Sequence, residues 1–248
     1  MNLGAGDEAS AGKFGPRPVL IVTGLVQEAR IAAGPGMTVI CSSSDPQQLR
    51  ALLTVFDFST IRGVISFGVA GGLDPTLKSG DVVVATEVLA GDTRWLADLA
   101  LNEELIASVA LGRRRVVRGG LAGVERVVAA RACKAALRSE TGAVAVDMES
   151  HIAAAYATEA GLPFAALRVI SDPATRALPA LAMSAIKPNG DIDLRKVLSG
   201  VARNPLTLRA LVSTGIDFNR ALKSLRDTRG FLLGGEGLVA AISEELPA

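Results

Sequence analysis

Runs of apolar, β-branched residues recur along this chain, separated by stretches with helical spacing. Residues 18–23, 37–42, 63–67, 81–89, 115–119, 143–146 and 164–170 read as seven strands. Their hydrophobicity is nearly continuous, which suits strands covered on both faces. Residues 46–56 carry Leu49, Leu52 and Leu53 on one side, and 94–111 repeat apolar residues at helical intervals. Residues 128–138 and 148–160 are alanine-rich and favour helix. Gly161-Leu162-Pro163 stops the last of these. Such alternation predicts an α/β domain with a mainly parallel sheet and helices packed around it. After Asp172 the pattern changes. Residues 173–193 hold three prolines without clean periodicity, and 195–204 and 206–227 look helical again, followed by Gly230, Gly234, Gly235 and Gly237. Residues 1–17 read as a flexible arm and 18–248 as one domain, whose part from 193 to 248 is helical.

Composition narrows the function classes. With 49% hydrophobic residues the chain can bury a large core, and a net charge of +1 provides no basic face for nucleic acid. Aromatics at 4% are too few for a base-stacking platform. Cys41 and Cys133 match no metal or redox spacing, and the single histidine, His151, excludes a histidine-rich metal site. The expectation is no metal, no cofactor and a reducing, cytoplasmic location. No apolar run is long enough to span a bilayer. The mean hydropathy of +0.37 is nevertheless high for a soluble enzyme.

In parallel sheets ligands bind beyond the carboxyl ends of strands. Four such ends carry unusual residues: Gly24 to Arg30 with Glu28, Gly68 to Leu73, Asp147-Met148-Glu149-Ser150, and Ser171-Asp172-Pro173. Each has a plainer reading. The glycines could form a tight turn, Glu149 could be first-turn helix charge, Asp172 a turn residue, and Glu28 with Arg30 a solvated pair. Together, at four strand ends, they favour a site. His151 lies two residues after Glu149, points elsewhere on a helix, and is expected to pack or make a structural hydrogen bond.

The segments Gly68-Val-Ala-Gly-Gly-Leu-Asp, Val146-Asp-Met-Glu-Ser and Arg168-Val-Ile-Ser-Asp172, in this order, resemble the nucleoside phosphorylase superfamily, and most of all its methylthioadenosine/S-adenosylhomocysteine nucleosidase branch. The stretch from Thr23 to Gly36 and Val146-Asp-Met-Glu-Ser-His look most like the hopanoid-associated phosphorylase subgroup, tied to removal of adenine from adenosylhopane. The resemblance implies a three-layer α/β/α domain with a mixed, mainly parallel sheet. It also implies a homo-oligomer. Its roles fall on Asp172 as the acid that holds the purine, Ser171 beside it, Glu149 on the ribose hydroxyls and Met148 against the sugar. Val127 falls where backbone meets the adenine edge, and Gly68, Ala70 and Gly71 line the pocket near the sugar or nucleophile. Val69 stands where the branch often has serine, and Arg126 where it has a stacking aromatic. Its water-activating glutamate falls at Ala29, and Glu28 next door is taken as that base.

These residue types suit glycosidic cleavage. Adenine leaves more readily when protonated at N7, so Asp172 is expected to have a raised pKa. Glu149 places negative charge near a cationic ribose. The nucleophile stays open: Glu28 serves water, whereas phosphate as co-substrate would call on Arg30 and the Gly68–Gly72 turn. Residues 173–186 include Ala174, Ala177, Leu178, Leu181 and Met183, an apolar lid that suits a lipid-linked adenosyl nucleoside and a peripheral membrane contact, or else a cover for the core. The alternatives are a small soluble nucleoside such as methylthioadenosine, a purine nucleoside phosphorylase, or a catalytically silent nucleoside-binding protein. No G-x-G-x-x-G stands where a dinucleotide enzyme would need it.

Overall fold

The computed structural model describes residues 17–110, 114–179, 181 and 207–229. The expected arm, the helix at 195–204, Met183 and the glycines from 230 onward lie outside these residues. The strands are β1 (Val19–Thr23), β2 (Met37–Cys41), β3 (Val64–Gly72), β4 (Val82–Ala90), β5 (Thr93–Leu96), β6 (Val116–Gly123), β7 (Ala145–Asp147) and β8 (Phe164–Asp172). The helices are α1 (Val26–Ala32), α2 (Pro46–Thr54), α3 (Leu99–Ala110), α4 (Arg131–Thr141), α5 (Ser150–Glu159) and α6 (Thr207–Asp227).

All eight strands join one mixed sheet. β3, β7, β6, β4 and β8 pair in a closed ring, from which β1 and β2 extend beyond β3 and β5 beyond β4. The pairings β1–β2, β1–β3, β3–β8, β4–β6 and β6–β7 are parallel. Those of β3–β7, β4–β5 and β4–β8 are antiparallel. The expected mixed, mainly parallel sheet is therefore present.

Alternation along the strands splits the core between two faces. Val19 and Ile21 pack with Ile31 of α1, Leu101 and Leu105 of α3 and Leu222 and Leu225 of α6. Leu20 and Val22 face the other way, onto Leu49 and Leu53 of α2 and Ile152 and Ala153 of α5. That is the three-layer arrangement. It explains why the strands read as unbroken apolar runs. Among the described residues no helix is long and apolar enough to cross a membrane.

Two expectations need correction, and one helix is additional. The glycines 68–72 form no turn: β3 runs on through Gly72, because β8 and then β7 supply it with strand partners. Residues 94–98 are not helical. The Gly91-Asp92 turn, with Gly91 at φ +55°, folds the chain back so that β5 pairs with β4. The helix starts only after Asp98, whose carboxylate accepts from Leu101 N–H at 2.8 Å. Residues 26–32, for which the sequence pattern predicts no element, form α1. Its third residue, Glu28, reaches back to the backbone N–H of Leu25 at 2.8 Å, the glutamate half of a capping box.

Candidate active site

The four strand ends singled out from the sequence meet at one place. Gly71 pairs with Val146 of β7 on one side and with Asp172 of β8 on the other. A Cβ on Gly71 would sit 3.2 Å from Val146 Cγ1 and 3.3 Å from Asp172 Oδ2. Past β1, a Cβ on Gly24 would lie 2.5 Å from Glu149 Oε1. A Cβ on Gly68 would lie 2.6 Å from Arg168 Nη1 and 2.7 Å from Glu28 Oε1. Glycine at 24 and 68 is thus a steric condition for these charged side chains to share the space.

The centre of the cluster is Arg168, whose side chain is fully buried. Its Nε meets Asp147 Oδ2 at 2.5 Å, and its Nη2 donates to Ser66 Oγ at 2.7 Å and to Ser150 Oγ at 3.2 Å. Glu149 Oε2 stands 3.5 Å from the same nitrogen. Asp147 is held in turn by the N–H of Ser150 at 3.0 Å and by the Ser150 hydroxyl. Arg168 Nη1 is buried and has no hydrogen-bond partner among the described residues.

Glu28 is 1% exposed. Its Oε2 accepts from Gly24 N–H at 2.9 Å and Leu25 N–H at 2.8 Å, and its Oε1 from Val69 N–H at 2.8 Å. A carboxylate oxygen accepts about two hydrogen bonds, and among the described residues Oε1 accepts one.

Three buried carboxylates, Glu28, Asp147 and Glu149, therefore surround one guanidinium. Ionising all of them would leave net negative charge in a low-dielectric site, which is costly. Burial accordingly pushes Glu149 up to about 8, with Arg168 opposing and Asp147 and Glu28 adding to the rise. Burial also raises Glu28, against Arg168 and the three backbone N–H groups. Arg168 itself is disfavoured by burial, but Asp147, Glu149 and Glu28 outweigh this and hold its charge firmly.

Asp172 is 6% exposed and belongs to a different pair. Its Oδ2 lies 2.5 Å from Lys134 Nζ, on a lysine side chain that is wholly buried. Ser171 Oγ lies 2.7 Å from Asp172 Oδ1 and 3.2 Å from the Ala70 carbonyl, so its hydrogen can serve either. Burial raises the Asp172 pKa, as expected, while Lys134 and Ser171 pull it down and Asp217 adds to the rise.

The remaining expected residues divide. Ala70 is buried in β3 and Met148 is half-buried before α5. Arg30 is exposed on α1. Val127 is 50% exposed after β6. His151 Nε2 stands 2.9 Å from Glu125 Oε1, which also pairs with Arg50, in keeping with a structural role. Three residues central to the site carry no role from the sequence: Arg168 and Asp147, which stand only within motifs, and Lys134. Arg168 had a visible signal, a lone charge inside the apolar run 164–170. Lys134 had none, because it sits on an exposed helix among other charged residues.

Comparison with known proteins agrees with this architecture. Residues 2–186 match the family model described as the phosphorylase superfamily. The chain belongs to the phosphorylase superfamily. A curated relative, the 5'-methylthioadenosine/S-adenosylhomocysteine nucleosidase of Marinomonas sp. (strain MWYL1), is 28% identical over 201 residues, covering 71% of this chain and 77% of the relative. Among solved structures, the same kind of nucleosidase from Helicobacter pylori, crystallised with butyl-thio-DADMe-Immucillin-A, aligns with a TM-score of 0.63 at 19% identity over 93% of this chain and 99% of its own. Futalosine hydrolase from Helicobacter pylori aligns with a TM-score of 0.57 at 20% identity over 64% of this chain and 89% of its own. The expectation of a nucleoside-cleaving enzyme agrees with this membership.

Proposed function

We propose that the protein cleaves the N-glycosidic bond of an adenosyl nucleoside, with water as the nucleophile. The observation that carries the choice of water is the position of Glu28. Its carboxylate already occupies the N–H groups of Gly24, Leu25 and Val69. Those are the donors a phosphate ion would need, and Arg30 is exposed on α1. Water between Glu28 Oε1 and Arg168 Nη1 would donate to the first and accept from the second. Its attack on C1' forms the C–O bond as the glycosidic electron pair departs with the base, and Glu28 takes the water's proton.

Asp172 gives the departing purine its proton, Ser171 steadies that carboxyl, and the Val127 backbone belongs to the base edge. Glu149 holds the ribose hydroxyls, with Met148 against the sugar and Gly68, Ala70 and Gly71 forming the floor. A positive ribose makes ionised Glu149 favourable, so the negative potential of the pocket is felt most at the transition state.

The substrate we favour is adenosylhopane, on the resemblance of residues 23–36 and 146–151 to the hopanoid-associated subgroup. An open cleft of about 890 Å³ beside α4 supports room for an apolar substituent: Leu73, Pro75, Ala132, Ala135 and Ala174 line it, and Arg131 and Arg138 border it. Contact with a membrane surface and assembly into a homo-oligomer form part of this proposal. The second reading, methylthioadenosine or S-adenosylhomocysteine as substrate, is favoured by the curated relative. Adenine release from adenosylhopane and from methylthioadenosine, each with and without phosphate and with an Asp172→Asn control, tests both. Release that needs phosphate would refute the hydrolytic reading, and release from methylthioadenosine alone would refute the lipid substrate.

A further inference from the structure

Lys134 Nζ is surrounded by oxygen. It lies 2.5 Å from Asp172 Oδ2, 3.2 Å from the Pro173 carbonyl, 3.3 Å from the Arg176 carbonyl and 3.5 Å from the Asp172 carbonyl. An ammonium has three hydrogens, so these acceptors consume its donors and leave none for a substrate. Any effect of Lys134 on the reaction must therefore pass through Asp172. The clamp also fixes which oxygen of Asp172 is usable. Oδ2 is committed to the lysine, and Oδ1 faces Ser171. When Oδ1 carries a proton, the Ser171 hydrogen can turn to the Ala70 carbonyl; when Oδ1 is ionised, it can turn back.

We propose that Lys134 is a positioning residue for glycosidic cleavage. It holds Oδ2, presents Oδ1 to the base, and supplies the counter-charge for the carboxylate that remains after proton transfer. The step balances simply. The Oδ1–H bond breaks, its electron pair stays on Oδ1, the proton joins the leaving base, and the base departs neutral with the glycosidic electron pair. The new negative charge appears beside a fixed ammonium.

The other charges facing Asp172 are few. Asp217 of α6 opposes ionisation and is itself paired with Arg176 and Arg220. Gly71, which pairs with Asp172 from β3, carries no charge. Lys134 is thus the cation that makes direct contact with Asp172 among the described residues.

This inference rests on Asp172 as the acid, and its test separates the two. The pH profile of kcat/KM for adenine release would be recorded for the wild type, Asp172→Asn, Lys134→Met and Lys134→Gln, using whichever of adenosylhopane and methylthioadenosine is turned over. Because the acid must be protonated, activity falls at high pH. An opposite charge at hydrogen-bond distance lowers a carboxyl pKa by about 1–3 units. Both lysine variants should therefore move the alkaline limb upward by about one pH unit or more, while the plateau falls at least about tenfold. The amide introduced by Lys134→Gln could keep a hydrogen bond to Oδ2 without the charge, and thermal melting reports whether either variant is folded. A 4-nitrophenyl riboside, whose leaving group departs without protonation, should be cleaved by folded lysine variants at close to the wild-type rate. An unmoved limb in folded Lys134→Gln, with Asp172→Asn inactive, would overturn the role of Lys134 alone. Full adenine release by Asp172→Asn would overturn the acid assignment and the inference with it.

Discussion

Around Arg168 three carboxylates share one cation, whereas Asp172 has Lys134 to itself. Both regions are buried and lie at the ends of strands that pair with β3. Their charge balance is opposite in kind. The Arg168 cluster is short of positive charge, so it holds protons tightly at rest and gains most from a cation appearing nearby. The Lys134 pair is balanced when Asp172 is ionised, so it is suited to releasing a proton. A glycosidic cleavage calls for both behaviours, on opposite sides of the bond that breaks. The pairing of one surplus-acid region with one balanced region is the physical content of this site.

The largest expected effects come from removing the proposed base on one side of this comparison and the proposed acid on the other. Glu28→Gln keeps the size of the side chain and loses the proton acceptor. General acid–base groups contribute about 10²–10⁴-fold, so kcat should fall by that range for both Glu28→Gln and Asp172→Asn. The two should differ with leaving group. With 4-nitrophenyl riboside, Glu28→Gln stays impaired and Asp172→Asn recovers. Equal recovery of both would mean that Glu28 does not act on the nucleophile.

Stability should separate the regions as well. Arg168→Met leaves Asp147, Glu149 and Glu28 buried without their shared cation, and breaking a buried pair costs about 3–5 kcal/mol. Lys134→Met strands a single carboxyl that can take up a proton, so its cost should be smaller. Urea denaturation at neutral pH measures both. A larger loss for Lys134→Met would place the structural weight at the Asp172 end instead. Between these extremes stands Gly68→Ala. Its Cβ would press on Arg168 Nη1 and Glu28 together, and overpacking of this kind costs about 1–3 kcal/mol.

The sequence made one half of this comparison readable and concealed the other. Continuous apolar strands, alternating with helices, indicated a three-layer α/β domain. The order of Glu28, Gly68, Glu149 and Asp172 at strand ends indicated where chemistry would gather. The pattern could not reveal that β3 continues through its glycines, since glycine ordinarily weakens a strand and here is required by the bulk of Arg168 and Glu28. Nor could it show the closed ring, which depends on β8 pairing with β4 as well as β3, a contact between residues far apart in the chain. The helix expected from residue 94 failed because a two-residue turn overrode helical periodicity. Lys134 was illegible for a related reason. Its nearest neighbours on α4 are exposed, and its ammonium is held by oxygens of residues 172, 173 and 176, which the sequence pattern does not place beside it.

The smallest effect is a dependence of stability on pH, and it distinguishes the regions by sign and size. Glu149 is pushed from 4.5 to about 8 in the folded protein. Below about pH 4.5 the group is protonated in both folded and unfolded chains and contributes nothing to the slope. Between there and about pH 8 the folded chain retains a proton that the unfolded chain has lost. Stability must then fall as pH rises across this window, and the loss is complete above the folded value. Glu149→Gln is neutral throughout and lacks this contribution. Relative to wild type, its melting temperature should climb as pH increases from about 5 to about 9. For a chain of this size about 1 kcal/mol corresponds to about 2–4 °C, so a climb of at least that amount is expected. Glu28 and Asp172 are raised in the same direction and remain present in both proteins, so the comparison cancels them to first order. A constant gap between the two melting curves over this range would show that Glu149 is ionised at rest, and that Arg168 alone can balance the cluster.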